Sequence, residues 1–71
     1  MEKNFLGLTE NQEEILILLS EGNEPDIIAK MKGYSLQHVR RMIRISRDTL
    51  GANTTIEAVT ILVKHLIRET P

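Results

Sequence analysis

Four arginines stand within eight residues of this chain, at positions 40, 41, 44 and 47. On an α-helix, with ~100° per residue, Arg40, Arg44 and Arg47 lie within about 60° of one another, and Arg41 widens the arc to roughly 120°. Guanidinium groups arranged in this way can donate to phosphate oxygens and to the O6 and N7 atoms of guanine. The spacing therefore indicates a helix that binds nucleic acid in a groove.

The same segment carries an apolar stripe opposite the arginines. Val39, Met42, Ile43 and Leu50 occupy a separate arc of about 100°. A helix with one apolar stripe packs that stripe against the rest of the domain and presents its other side to solvent. The alternative is a solvated arginine face whose charges pair with the acidic residues of the first helix.

The elements that position this segment are predicted to be helices joined by short turns. Thr9 and Gln12 have the spacing of a capping box, in which each side chain satisfies a free backbone N–H at a helix start. Apolar residues then recur at helical spacing until Gly22, so we expect a first helix over about 10–21. Residues 1–8 form an apolar lead-in.

A second helix and a tight turn precede the arginine segment. Pro25 suits the first position of a helix over 25–32, because its missing N–H has no partner there. A turn at 33–34 follows, and Ser35 is an expected N-cap for a longer helix over 36–50.

The last predicted helix covers roughly 55–68 and begins at a second capping-box pattern, Thr54 with Glu57. It carries more apolar residues than one buried stripe needs, which favours a second buried surface against another copy of the chain. The residues predicted to form that dimerisation surface are Val59, Leu62, Val63 and Leu66. The alternative is that this helix lies deep in the core of the monomer. Four helices leave no room for a sheet, so the fold class is all-α.

Composition limits the class of protein. The chain has 71 residues, 41% of them hydrophobic, with one Tyr, one Phe and no Trp, so it can build one domain with a small aliphatic core. Cysteine is absent, which excludes disulfides and thiolate sites and suits a reducing compartment. No apolar run approaches the ~20 residues that span a bilayer, and the start does not have the pattern of a signal peptide. We therefore expect a cytoplasmic protein with no membrane partner.

The net charge of −1 hides an asymmetry along the chain. Residues 1–26 carry seven acidic side chains against Lys3, a net charge of −6, whereas residues 27–71 carry eight Lys and Arg against three acids, a net charge of +5. A basic face can bind an anionic partner even when the whole protein is close to neutral.

Catalytic and metal chemistry have no support in the sequence. His38 and His65 stand alone, without cysteine and without the spacing of a zinc motif. The carboxylates of the first helix lie on an exposed face with no pocket-forming sequence around them, so a solvating role is expected. We predict no enzyme activity, no cofactor and no metal site.

The chain resembles the DNA-binding domain of the LuxR/GerE family of bacterial transcription regulators. The similarity runs without gaps from Leu8 to about Leu66 and covers caps, turn glycines and core aliphatic residues. The positions that match the family pattern are Leu8, Thr9, Glu14, Ile15, Leu16, Leu18, Leu19, Glu21, Gly22, Ile28, Ala29, Gly33, Ser35, Val39, Arg40, Leu50, Gly51, Glu57, Ala58 and Val59.

The resemblance implies a four-helix, helix-turn-helix DNA-binding domain over residues 9–71, with the segment 36–50 as the recognition helix. It implies base contacts by Arg40, Arg41 and Arg44. It places the contacts to the DNA backbone at Ser35, Gln37, His38 and Arg47. In such motifs the second helix lies in the major groove, and dimers read two half-sites about one helical turn apart.

Two functions follow from these observations. The first is a homodimeric, sequence-specific regulator of transcription that binds double-stranded DNA, with RNA polymerase or another regulator as a further candidate partner. The second is a protein-interaction module that pairs with a larger regulator and modulates it; the acidic first half, Asp26 and the apolar surplus of the last helix support it. An excised C-terminal domain of a longer regulator would carry the same pattern, although the initiating Met favours a complete protein.

Overall fold

The computed structural model describes residues 6–69, and this part of the chain is all-α. Its helices are α1 (Glu10–Ser20), α2 (Pro25–Lys32), α3 (Leu36–Leu50) and α4 (Thr55–Glu69). The four predicted helices are confirmed, with α1 one residue shorter and α4 one residue longer than expected. Residues 1–5 of the predicted lead-in, and residues 70–71, lie outside the described residues.

The expected caps fix where α1 and α3 begin. The Thr9 N–H donates to Gln12 Oε1 (2.9 Å), and the Gln12 N–H donates to Thr9 Oγ1 (3.2 Å), which completes the predicted capping box. Ser35 Oγ accepts from the His38 N–H at 3.1 Å, as expected of an N-cap. Each cap satisfies backbone donors that have no partner inside the helix.

Two glycines set the length of α3 and its separation from α2. Gly33 ends α2 with φ of 70°, and Gly51 ends α3 with φ of 66°. Both values lie in the left-handed region, where a side chain would be strained and glycine is not. The arginine segment is therefore one uninterrupted helix with defined ends.

The start of α4 differs in one detail from the predicted capping box. Thr54 Oγ1 accepts from the Glu57 N–H at 3.0 Å, as expected. The Glu57 carboxylate accepts instead from the N–H of Asn53, one residue before the cap, at 3.3 Å. The carboxylate still lies at the positive end of the helix, where it is stabilising.

The core consists of two clusters, and α1 contributes to both. One joins α1 to α2 and α3, and its buried members are Ile15, Ile28, Ala29, Val39 and Ile43. The other joins the residues before α1 to α1 and α4, and its buried members are Leu8, Leu16, Ala58 and Leu62. Neighbouring residues of α1, Ile15 and Leu16, thus lie in different clusters.

The buried side of α3 carries the predicted apolar stripe and one residue that we did not predict. Val39 and Ile43 are buried, while Met42 and Leu50 are partly buried and pack against the two clusters. Ser46 is also buried, and its hydroxyl donates to the Met42 carbonyl oxygen at 2.8 Å. This bond satisfies the hydroxyl within its own helix, so that a small polar residue fits in the packed face.

The predicted dimerisation surface on α4 needs correction. Leu62 is 0% exposed within a single chain, so its assignment to a contact with a second copy is wrong. Val59 and Leu66 are partly buried and pack against the same cluster as Leu62. Val63 is partly buried and belongs to neither cluster. The predicted stripe therefore mainly closes the monomer core.

None of the helices in residues 6–69 is both long enough and apolar enough to span a membrane.

Candidate nucleic-acid interface

The arginines of α3 lie on the side of the helix that faces away from the core. Arg40, Arg41 and Arg44 are exposed, and Arg47 is partly buried. Burial of Val39 and Ile43 fixes the rotation of α3 about its own axis. At ~1.5 Å of rise per residue, positions 40 and 47 are separated by roughly 10 Å along that axis.

These four positive charges have no protein partner among residues 6–69. No ion pair or hydrogen bond joins any of the four guanidinium groups to another of the described residues. One salt bridge in this part of the chain joins Lys32 Nζ to Glu14 Oε2 at 2.8 Å. The alternative in which the arginines pair with the acids of α1 is therefore not observed here.

The predicted backbone-contacting residues occupy both ends of α3. Ser35, Gln37 and His38 are exposed together at its start. Arg47 lies near its end, roughly 18 Å from position 35 along the axis. The predicted base-contacting arginines lie between these two groups.

The start of α3 is held by contacts to α1 and to the turn before it. The His38 ring packs edge-on against the Tyr34 ring, with 4.7 Å between centroids and an interplanar angle of 77°. The Tyr34 hydroxyl donates to Asn11 Oδ1 at 3.1 Å, which ties the turn to α1. Lys32 Nζ lies 5.8 Å from the Tyr34 ring centroid. His38 is therefore oriented by an aromatic contact that the sequence did not reveal.

A cationic concavity lies beside the arginine face. It has a volume of about 390 Å³ and is lined by Pro25, Arg40, Ile43, Arg44, Arg47 and Thr55. Arg47 Nε is buried and has no hydrogen-bond partner. Thr55, the first residue of α4, was missed by sequence reasoning because only the packing of α4 on α3 brings it next to the arginines.

A neighbouring concavity has the opposite character. It has a volume of about 370 Å³ and is lined by Glu24, Pro25, Asp26, Leu36 and Arg40. The carboxylates belong to the start of α2, where they complement the positive end of the helix. Arg40 and Pro25 line both concavities, so the exposed surface changes sign across Arg40.

Apolar side chains are exposed on two helices. Ile56 and Ile67 of α4 are 79% and 66% exposed, and Met31 of α2 is 58% exposed. Around the axis of α4, Ile56, Val63 and Ile67 fall within an arc of about 40°. This exposed stripe of α4 is separate from the buried stripe that contains Leu62.

No metal-binding arrangement is found among the described residues. Within 6–69, no three side chains of the His, Cys, Asp or Glu type lie close enough together to hold a metal ion.

Comparison of the chain with models of protein families, with curated proteins and with solved structures finds no match.

Proposed function

We propose that this protein is a sequence-specific DNA-binding regulator of transcription with a LuxR/GerE-like helix-turn-helix, acting as a homodimer. The observation that carries the proposal is the unpaired arginine face of α3. Four positive charges on one helix, none of them in an ion pair with the described residues, attract a polyanion, and an α-helix fits the major groove of B-DNA. A helix-turn-helix consists of a first helix, a short turn and a recognition helix. In this chain α2, a three-residue turn and the longer α3 follow in that order.

In the proposed complex, the middle of α3 faces the bases and its two ends face the backbone. Arg40, Arg41 and Arg44 are exposed and long enough to donate to guanine O6 and N7. Ser35 retains a hydroxyl proton for a phosphate oxygen, because its oxygen accepts the capping bond. Contacts at both ends would fix the register of the helix in the groove.

A selection of genomic fragments with purified protein, followed by mobility-shift assays, tests the proposal. We expect Arg40→Ala and Arg44→Ala each to weaken binding to the selected site by about 1–3 kcal/mol, or roughly 5- to 150-fold, while folding is unchanged. We expect the selected fragments to share an inverted repeat, and their affinity for the protein to fall steeply as the salt concentration rises.

The matched control is Arg68→Ala, which removes an exposed arginine from the far end of α4. It should bind the selected site like the parent protein. The proposal fails if Arg40→Ala and Arg44→Ala both bind as tightly as the parent, or if no fragment is enriched at low salt.

Asp26 opposes DNA binding, and its replacement is expected to strengthen it. The side chain is exposed beside Arg40, so Asp26→Lys turns an unfavourable charge near the phosphates into a favourable one. We expect the affinity for DNA to rise several-fold in 0.1 M salt. The slope of log K against log salt concentration should become steeper by about one unit, as for one added phosphate contact.

Glu21→Lys makes the same charge change at the exposed end of α1, where the residue lines neither concavity. It should alter affinity much less than Asp26→Lys. Equal effects of the two variants would mean that net charge alone, and not the position of Asp26, sets the affinity.

The exposed stripe of α4 supports the homodimer part of the proposal. Ile56, Val63 and Ile67 are spaced by seven and four residues, the spacing at which two helices pack along a common seam. A two-fold contact through this stripe would bury Ile56 and Ile67, the most exposed large apolar side chains among the described residues. It replaces the surface predicted around Leu62.

A second candidate function is a protein-interaction module that modulates a larger regulator. The observation that favours it is the exposed apolar pair Ile27 and Met31 on α2, one helical turn apart. An apolar contact of this kind should respond little to salt, whereas binding through phosphates should weaken steeply. Titration of binding between 50 mM and 300 mM salt therefore separates the two functions.

A further inference from the structure

Acidic and basic side chains meet beside Arg40 without forming an ion pair. Glu24, Asp26 and Arg40 line one concavity of about 370 Å³, together with Pro25 and Leu36. We infer that the two carboxylates determine sequence discrimination, because they oppose the binding of a phosphate by Arg40 and leave it a neutral base edge as its ligand. This inference rests on the proposed function for the presence of DNA.

The two carboxylates make no contact that would neutralise them among residues 6–69. Glu24 is the N-cap residue of α2, but its side chain makes no capping hydrogen bond. Asp26 lies in the first turn of α2, and its side chain makes neither an ion pair nor a hydrogen bond with the described residues. Both residues are exposed, so their charges act on any group that enters the concavity.

Arg40 is also available to an external ligand. It lines the acidic concavity and the cationic one beside it, yet its guanidinium forms no ion pair with Glu24 or Asp26. An exposed ion pair contributes little, because two long side chains lose conformational freedom when they are held together. The carboxylates therefore do not block Arg40, but they alter which ligand it prefers.

A phosphate and a guanine edge differ in net charge. A phosphate bound by Arg40 in this concavity would be a third negative charge beside Glu24 and Asp26, and like charges repel one another. Guanine presents its O6 and N7 acceptors without a net charge, so the same guanidinium binds it with much less repulsion. For exposed charges, an interaction of this kind changes affinity by about 1.5- to 5-fold per carboxylate.

This difference favours the specific complex over non-specific ones. Non-specific complexes are held by phosphate contacts, whereas a specific complex adds contacts to base edges. The carboxylates therefore weaken non-specific complexes more than the specific complex. The ratio of the two affinities, and not either affinity alone, decides how well a regulator finds its site among competing DNA.

The test combines two neutral substitutions of nearly the same shape, Glu24→Gln with Asp26→Asn. Affinity is measured in 0.1 M salt for the selected duplex and for a scrambled duplex of the same length and base composition. We expect the affinity for the scrambled duplex to rise roughly 2- to 25-fold and that for the selected duplex to rise less. The ratio of the two affinities should fall by about threefold or more. Circular dichroism checks that the variant keeps the parental fold.

The matched control removes two negative charges from the ends of α1, through Glu10→Gln with Glu21→Gln. Both residues are exposed, and neither lines the two concavities beside Arg40. The control has the same net charge as the α2 variant. It should keep the parental ratio of affinities.

The substitution Arg40→Met shows whether the carboxylates act through Arg40. It removes the guanidinium and keeps an unbranched side chain. In this background, the α2 substitutions should raise the affinity for the scrambled duplex no more than the α1 substitutions do. The part of the gain that requires Arg40 is the coupling that a double-mutant cycle measures.

The outcomes separate this inference from the proposed function. If the parent selects a duplex but the α2 substitutions do not lower the ratio of affinities, or their gain persists in full without Arg40, the inference is overturned and the proposed function stands. If the parent selects no duplex, the proposed function fails. An Arg40-dependent gain in affinity for random duplex then still supports the exclusion of phosphate by the carboxylates, and the absence of that gain overturns it.

Discussion

Replacing Leu62 with alanine is expected to remove a large part of the protein's stability. Leu62 is fully buried where α4 packs on α1, against Leu8, Leu16 and Ala58. A buried Leu→Ala substitution is destabilising by about 2–5 kcal/mol. A domain of this size has roughly 5–10 kcal/mol of stability or less, so this one change removes a large part of it.

Urea denaturation followed by circular dichroism measures the effect, with Lys64→Ala as the control. Lys64 lies on the same helix but is exposed. Its truncation should change the free energy of unfolding by about 0.5 kcal/mol or less. Similar stability losses for the two variants would contradict the assignment of Leu62 to the monomer core.

Replacing Ile67 with lysine is expected to abolish the proposed dimer and most of its affinity for a full inverted repeat. Ile67 is 66% exposed on the α4 stripe, and two-fold symmetry would bring two lysines to the same interface. Linking two half-site contacts in a dimer raises affinity by about 10²–10⁴-fold. We therefore expect a loss of that size on the full site and no loss on a single half-site.

Sedimentation of the free protein and shift assays on half-site and full-site duplexes measure these effects. The control is Met31→Lys, which makes the same kind of change at a 58% exposed apolar residue of α2. It should leave the oligomeric state unchanged. Full-site binding that survives in Ile67→Lys would exclude the α4 stripe as the contact between copies.

The helices and their ends were predictable because local chemistry determines them. Pro25 can stand only at the start of α2, Ser35 caps α3, and Gly51 takes the left-handed conformation that ends it. These signals act over a few residues and need no knowledge of the tertiary structure. The arginine face was predictable for the same reason, since the spacing of residues within one helix fixes their directions.

The inward side of α4 was not predictable in the same way. Its apolar residues surround much of the helix, so periodicity alone does not decide which stripe faces the core. Leu8 and Leu16 decide it, since they form the buried cluster with Ala58 and Leu62. This is a contact between distant parts of the chain.

The candidate site was predictable only as far as single helices extend. The sequence indicated the exposed arginines, but it did not indicate that Arg47 would have a buried Nε or that Thr55 would lie in the same concavity. Both depend on the packing of α4 against α3. The relationship to the LuxR/GerE family stays a prediction, since no comparison matched the chain.

The division of the core between Ile15 and Leu16 has a consequence for half-site spacing in the proposed dimer. One of these neighbours packs with α2 and α3, and the other packs with α4. In the proposed dimer, α1 and the direct contact of α4 with α3 would therefore together fix the distance from the two-fold axis to the helix in the groove. On that proposal, we expect a change of side-chain volume at either position to tilt α3 relative to the axis and to change the preferred number of base pairs between half-sites.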